Sequence, residues 1–299
     1  RRWRGAPGAL VAPIRPDGLG AQLHSMLLVA ALAHHHRLRY LGPFGPNSLR
    51  DSTLMSLLGL APRLPKLPNG TVELASAREL PEALRRHPGG TFFLNAAELQ
   101  RELDVEAEPG FTTELVGPDF RRQLLCNCPI WTSKTSAPLW APSAALRVAV
   151  HVRRGDVMER GWRRTAPDPE VWNCPRALPN SYYAAVLRQL QRLEPWLEAH
   201  VFSSSPFGDQ PGYRLEEFRR EVPWAKVHLD GSKRQAWKFM ITADVLVMSR
   251  STFSTVPAFL SNGVVVCPES WQQPLAHWLR TDGTAASAAS PRLLRELNE

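Results

Sequence analysis

The segment His151-Val-Arg153-Arg154-Gly155-Asp156 gathers two arginines, an imidazole and a carboxylate into one short stretch. A guanidinium is permanently charged, planar and forked, so it suits a phosphate or carboxylate that takes two parallel hydrogen bonds. A second stretch, Ser249-Arg250-Ser251-Thr252-Phe253-Ser254, offers hydroxyls and helix-start amides that could hold phosphate oxygens. Together these residue types fit the departure of a nucleoside diphosphate from a sugar. Breaking that bond develops negative charge on the diphosphate, and either a metal or fixed cations and amides must meet it. The D-x-D-like piece Asp104-Val-Glu106 sits in an acidic stretch that reads as solvated surface, so no metal is expected and Arg153 is the expected cation. Asp156 and Glu159 are the carboxylates nearest the motif and the first candidates for a general base, with Asp168 and Glu170 following.

These residues need elements to aim them. Residues 145–152 form a near-continuous apolar run of the kind found in sheets covered on both faces. In open α/β sheets ligands bind beyond the carboxyl ends of strands, where the motif falls. Alternation along the strand sends His151 and Arg153 to one side and Arg154 to the other, where Arg154 can hold the loop against Asp156. The serine-rich stretch follows another strand, Val245–Met248. Further strands are expected at 200–202, 227–229 and 264–267, with helices at 182–197, 215–220 and 232–242. The first half also alternates: an apolar run at 9–14, a Pro16-to-Gly20 turn, a helix from about Ala21 to His36, then strands at 38–41 and 91–95 around a helix at 77–86. From about Asp104 to Pro142 the pattern turns irregular, with one helical piece at 118–125. The expected division is 1–140 and 141–299.

At 299 residues the chain is long enough for two domains, and its 43% hydrophobic and 21% charged content is that of a globular protein with ample core. The formal charge of +8 rests almost wholly on arginine, since Lys66, Lys134, Lys226, Lys233 and Lys238 are the only lysines. That fits an anionic substrate, or a compositional bias. No basic run is interleaved with aromatics as a nucleic-acid stacking surface requires, so nucleic acid is not an expected partner. No apolar run reaches the roughly 18 to 20 residues that span a bilayer, so the chain reads as soluble, with membrane attachment only through an anchor removed upstream. Cys126, Cys128 and Cys174 lie on polar, Pro-flanked stretches where a disulfide could form, which leans to an oxidising lumen, and Cys267 reads as a buried strand residue. His34-His35-His36 closes a helix, where positive charge suits the dipole. Trp162 and Trp172, after the arginine motif, could stack on an acceptor sugar.

The arginine segment resembles the H-x-R-R-G-D motif of the superfamily containing the α-1,2-, α-1,6- and protein O-fucosyltransferases, and is closest in pattern to the α-1,2 family. Gly18-Leu-Gly20-Ala21-Gln22-Leu23, Ser181-Tyr182-Tyr183 and Asp244 through Ser254 match further pieces in order. The resemblance implies a GT-B architecture, with two Rossmann-like domains facing across a cleft, GDP-fucose on the C-terminal one and a glycan or glycoprotein acceptor approaching from the N-terminal one. It implies inverting, metal-free chemistry without a cofactor, and a Golgi or secretory-pathway lumen. Carried over, Arg153 meets the β-phosphate with Arg154 beside it, and His151 meets the nucleoside side. Ser251, Thr252 and Ser254 line the phosphate loop, and the Gly18-to-Gly20 turn with Gln22 approaches the diphosphate. Two positions depart from the pattern: Ala21 replaces a common Asn, and Gln235 or Ala236 stands where relatives carry an acidic partner for guanine. Another nucleoside-diphosphate sugar, or a catalytically silent binding protein, are the alternatives.

Overall fold

The computed structural model describes residues 8–16, 18–46, 58–60, 63–94, 111–126, 139–158, 176–270 and 274–298. Glu159, Asp168, Glu170, Trp162, Trp172, Asp104, Glu106, Cys128 and Cys174 lie outside them. The chain divides into two compact units, Arg1–Ser133 with Trp271–Ala276, and Lys134–Ser270 with His277–Glu299. The sequence places the division at 140/141 and does not anticipate that a short late segment belongs to the first unit.

The first unit is built on a parallel sheet in the order β2-β1-β4-β3, with β1 Ala9–Pro13, β2 Arg39–Phe44, β3 Val72–Leu74 and β4 Thr91–Leu94. Every residue of β1 is buried, as a central strand covered on both faces requires. Helix α1, Leu19–His35, packs on β1 and β2 and is apolar nearly all round, burying Leu23, Met26, Leu27, Ala30 and Ala31. Helices α2 Leu80–Arg86, α3 Phe111–Leu115 and α4 Pro118–Cys126 complete the described part. The histidines at the end of α1 depart from expectation. Burial lowers the basicity of both His34 and His36, so the helix end carries less positive charge than the triplet suggests.

The second unit holds a six-stranded parallel sheet in the order β10-β9-β8-β5-β6-β7. Its strands are β5 Leu146–His151, β6 Leu197–Ser203, β7 Lys226–Leu229, β8 Val245–Val247, β9 Val264–Pro268 and β10 Leu279–Thr281. Helix α5, Asn180–Leu193, sets Tyr183, Val186, Leu187 and Leu190 against Val148, Val150, Ala199 and Val201 on one face of the sheet. The sequence pattern carries this helix on to Leu197, but it stops at Leu193. Glu194 precedes Pro195, which disfavours helical backbone, and Leu197 already starts β6. Helices α6 Leu215–Glu221, α7 Lys233–Thr242, α8 Thr252–Leu260, α9 Ala285–Ala288 and α10 Pro291–Asn298 follow in order. Cys267 is buried in β9, as its apolar neighbours suggest.

One ion pair and one close backbone approach hold the strand starts of the second sheet together. Asp244 takes a two-pronged ion pair from Arg147 and also accepts the Arg147 amide at 2.8 Å, locking the starts of β5 and β8 together. Gly263 runs so close to Ala243 and Asp244 that any Cβ there would collide with their carbonyl oxygens. On the face of β6 that turns away from α5, His200 stacks on Phe239 of α7 with ring centroids 4.2 Å apart and meets Trp140 edge-on. Its Nδ1 lies 2.9 Å from His228 Nε2 and its Nε2 lies 3.0 Å from Glu198. Burial alone would raise the Glu198 carboxyl, but hydrogen bonds from His200, Lys226 and the Ala141 amide outweigh it and hold the group at about 2. Burial lowers His200 despite Glu198, and lowers His228 as well.

The sign of the resulting pH dependence is fixed. Histidines held neutral in the fold protonate more readily when unfolded, so stability is full above the ordinary histidine value and falls as pH drops below it. The Glu198 contribution is full above the ordinary carboxylate value and is lost progressively as the pH falls from there toward about 2, so it does not shape the decline above pH 5. The melting temperature is therefore expected to decline between pH 7.5 and about 5, and His228→Gln, which still reaches His200 but cannot titrate, should flatten that decline. Thermal unfolding of both proteins across this range checks it.

Candidate active site

β5 ends where the two sequence motifs meet. The last residue of the strand, His151, is buried, and its Nδ1 lies 2.7 Å from the hydroxyl of Ser249, just past the end of the neighbouring strand β8. Its ring also packs against Phe253, with centroids 5.1 Å apart. Burial first, then the nearby charges of Arg153 and Arg154, push the imidazole down to about 3, so His151 is neutral at physiological pH. One ring nitrogen then donates and the other accepts, and the Ser249 hydroxyl can serve either tautomer.

The two arginines take different roles, as strand alternation requires. Arg154 is fully buried. It donates to the Arg153 carbonyl at 2.9 Å and to Asn180 Oδ1 at 2.8 Å, and its guanidinium lies 4.9 Å from the Phe207 ring centroid and 5.1 Å from that of Tyr213. Asn180 in turn donates to the Arg214 carbonyl at 2.8 Å. Expected beside the donor, Arg154 is instead turned into the fold as a post that holds the loop. Arg153 keeps 20% of its side-chain surface and forms an ion pair with Asp156, whose side chain is 65% exposed. The sequence reading has Asp156 paired with the inward arginine; the structure pairs it with the outward one. A short 3-10 turn, Gly155–Met158, follows, and Gly155 adopts φ +70, where a Cβ would also lie 2.5 Å from the Ser204 hydroxyl.

The serine-rich stretch forms the start of α8. Ser251 is its N-cap, its hydroxyl oxygen accepting the Phe253 amide at 3.3 Å. Ser254 is buried and spends its hydroxyl inside the turn, donating to the Ser251 carbonyl at 3.0 Å. Ser254 is thus internal to the loop, rather than facing a ligand as expected. Thr252 opens the helix and is half-buried, and among the described residues its amide has no acceptor. Ser251, Thr252 and the neutral His151 thus stand together at adjoining strand ends, with Arg153 just beyond.

In the first unit, Gly18 is the N-cap of α1, with open space where a Cβ would project. Gly20 lies buried within the first turn of the helix, and Gln22 is buried and donates to the Arg15 carbonyl at 2.8 Å. Gln22 therefore shapes the glycine turn. Sequence reasoning passed over Asn180, which carries no motif of its own, and took Ser249 only as one hydroxyl of the serine-rich stretch, without its link to His151; for Asn180 the polar residue at a helix boundary was the available signal. Among the described residues no group of three metal-ligating side chains is found, and no helix is long and apolar enough to cross a membrane.

The fold is that of the GT-B glycosyltransferases. The chain is similar to E. coli heptosyltransferase WaaC with ADP, at 11% identity over 97% of this chain and 100% of that one, with a TM-score of 0.50. It is also similar to E. coli ADP-heptose lps heptosyltransferase II, at 15% identity over 97% of each chain and a TM-score of 0.47. A third similar structure is POFUT1 in complex with GDP, at 12% identity over 86% of this chain and 96% of that one and a TM-score of 0.45. No family model and no curated protein matches the chain.

The two arginines should separate experimentally. Arg154→Ala removes a buried, hydrogen-bonded side chain and leaves Asn180 Oδ1 without that donor, a change expected to destabilise by about 1 to 3 kcal/mol through the orphaned acceptor alone. Arg153→Ala should leave the melting temperature almost unchanged. Denaturant unfolding of the two variants beside the parent checks the contrast.

Proposed function

We propose that the chain is an inverting, metal-independent glycosyltransferase that moves fucose from GDP-fucose to a hydroxyl of a glycan or glycoprotein. The observation that carries this reading is the 2.7 Å link between Ser249 and His151, which joins the arginine loop and the start of α8 at neighbouring strand ends. A diphosphate placed there would meet a guanidinium, a helix N-terminus and a neutral imidazole, without a cation from solution. Arg153 balances the charge that grows on the departing phosphate, and loss of one such preorganised donor typically costs about a hundredfold or more in rate. The acceptor hydroxyl attacks the anomeric carbon from the face opposite the diphosphate, which inverts its configuration. The proposed place of work is the Golgi or secretory-pathway lumen.

Titrating the purified protein with GDP, UDP, ADP and CMP, first without metal and then with manganese, tests the donor. Selective metal-free stabilisation by GDP, abolished in Arg153→Ala, is the expected result, and stabilisation that requires manganese would sink the metal-free mechanism. One observation favours a second donor: Gln235 is exposed at the start of α7 where relatives carry an acidic partner for guanine. Preference for another nucleotide would establish that reading.

In this reading Asp156 is the resident counter-ion of Arg153, displaced by the incoming diphosphate, and the base lies elsewhere. Asp156 is 65% exposed, so solvent screens its pairing with the largely buried Arg153, and Asp156→Asn should tighten nucleotide binding by up to about fivefold, or about 1 kcal/mol, and leave kcat largely intact. A fall in kcat of a hundredfold at unchanged affinity would instead make Asp156 the base.

A further inference from the structure

Arg250 lies between two serines of the phosphate loop, yet its side chain points along the sheet. Its Nε donates to the Glu269 carbonyl at 2.7 Å and one of its terminal nitrogens donates to the Asp282 carbonyl at 3.1 Å. Glu269 directly follows β9 and Asp282 directly follows β10, while Arg250 itself follows β8. These three strands are neighbours in the sheet and all run parallel, so the guanidinium ties together three successive carboxyl-terminal ends. The far end is anchored in its own right: the Glu269 amide donates to the Thr281 carbonyl at 2.7 Å, and the Thr281 hydroxyl lies 3.0 Å from the Tyr182 hydroxyl of α5. Gly283 clears the space, since at φ +84 it is strained for other residues and a Cβ there would come within 3.2 Å of the Arg250 guanidinium.

We infer that Arg250 is a positioning residue for the donor: a clasp that fixes the Ser249–Thr252 turn so that Ser249 meets His151 and the Thr252 amide faces the diphosphate. The inference rests on the donor reading above and adds a residue to it. The arrangement explains why an arginine stands in a loop whose serines do the local bonding. The Ser251 amide reaches back to the Ser249 carbonyl at 2.7 Å, so the turn is tight, but nothing in that bond fixes its direction relative to the sheet. Two hydrogen bonds from one rigid fork to two separate strand ends supply that direction. Lysine, with a single ammonium on a flexible stem, has no fork to match the two carbonyls.

The test uses the full chain carrying Arg250→Ala and, as a milder variant that keeps the charge, Arg250→Lys. GDP affinity, donor KM and kcat, melting temperature and amide hydrogen exchange are measured beside the parent. A charged hydrogen bond lost from a positioned loop should weaken donor binding by about tenfold or more, so the expected result is a raised donor KM and GDP dissociation constant with kcat and acceptor KM near those of the parent. Exchange should quicken at residues 249–254 and stay unchanged in α5. Millimolar guanidinium added to Arg250→Ala should restore part of the donor affinity, which a general loss of stability would not show. If the parent binds GDP and both variants bind it equally well, the clasp is wrong even where the melting temperature has dropped. If the parent binds no nucleotide, it is the donor reading that fails, and the exchange data then decide the clasp alone: acceleration confined to 249–254 upholds it, and an unaltered pattern overturns it.

Discussion

A guanidinium cannot shed its charge to enter a protein interior, so wherever one is fully buried its surroundings must be arranged around it. Arg154 imposes that condition on the second unit. Its hydrogen bonds go to the carbonyl of Arg153 and to Asn180, and its faces lie on Phe207 and Tyr213. The four partners come from three pieces of chain: the turn after β5, the first residue of α5, and the loop between β6 and α6, which supplies both rings. Asn180 passes the constraint to Arg214, the N-cap of α6. Ring faces can stabilise a desolvated cation by about 2 kcal/mol each, and with Arg154 held in this way the outer arginine is left for other use.

The outward direction of Arg153 then follows from strand geometry. With Arg154 pinned inward, its neighbour must leave on the opposite side, and the positive φ of Gly155 turns the chain before a second side chain can crowd it. The Gly155 amide donates to the Pro206 carbonyl at 2.9 Å, so the turn is held against the loop after β6. A single buried charge thereby fixes the aim of the partly exposed one beside it.

Much of this was legible in the sequence wherever the signal was local. The apolar run of β5, the extent of α7, the helix start in the serine-rich stretch and the motif at a strand end all follow from patterns of a few residues. What escaped depends on partners far along the chain. β3 and β10 are three-residue strands on sheet edges, made by pairing with β4 and β9 rather than by any run of their own. The inward commitment of Ser254 and Gln22 is decided by the turn that surrounds them, and a motif match cannot tell a hydroxyl that faces a ligand from one spent on a carbonyl. The pairing of Asp156 with Arg153 likewise could not be read from spacing, because both arginines are within reach of a carboxylate so close in sequence.

The neutrality of His151 connects these pieces. Two guanidiniums lie within three residues of it, and a third positive charge there would repel both while sitting in a medium that solvates charge poorly. Burial removes that charge and keeps it removed down to about pH 3, well below any physiological range. A neutral ring can also accept a hydrogen bond, which an imidazolium cannot, so the link to Ser249 can form in either direction. The bond that brings β5 and β8 loops together is therefore insensitive to pH where the protein folds and works, while the histidines stacked on β6 remain free to respond to it. Placing the titratable pair on the sheet face and the silent histidine at the strand end separates stability, which varies with acidity, from the geometry of the site, which does not.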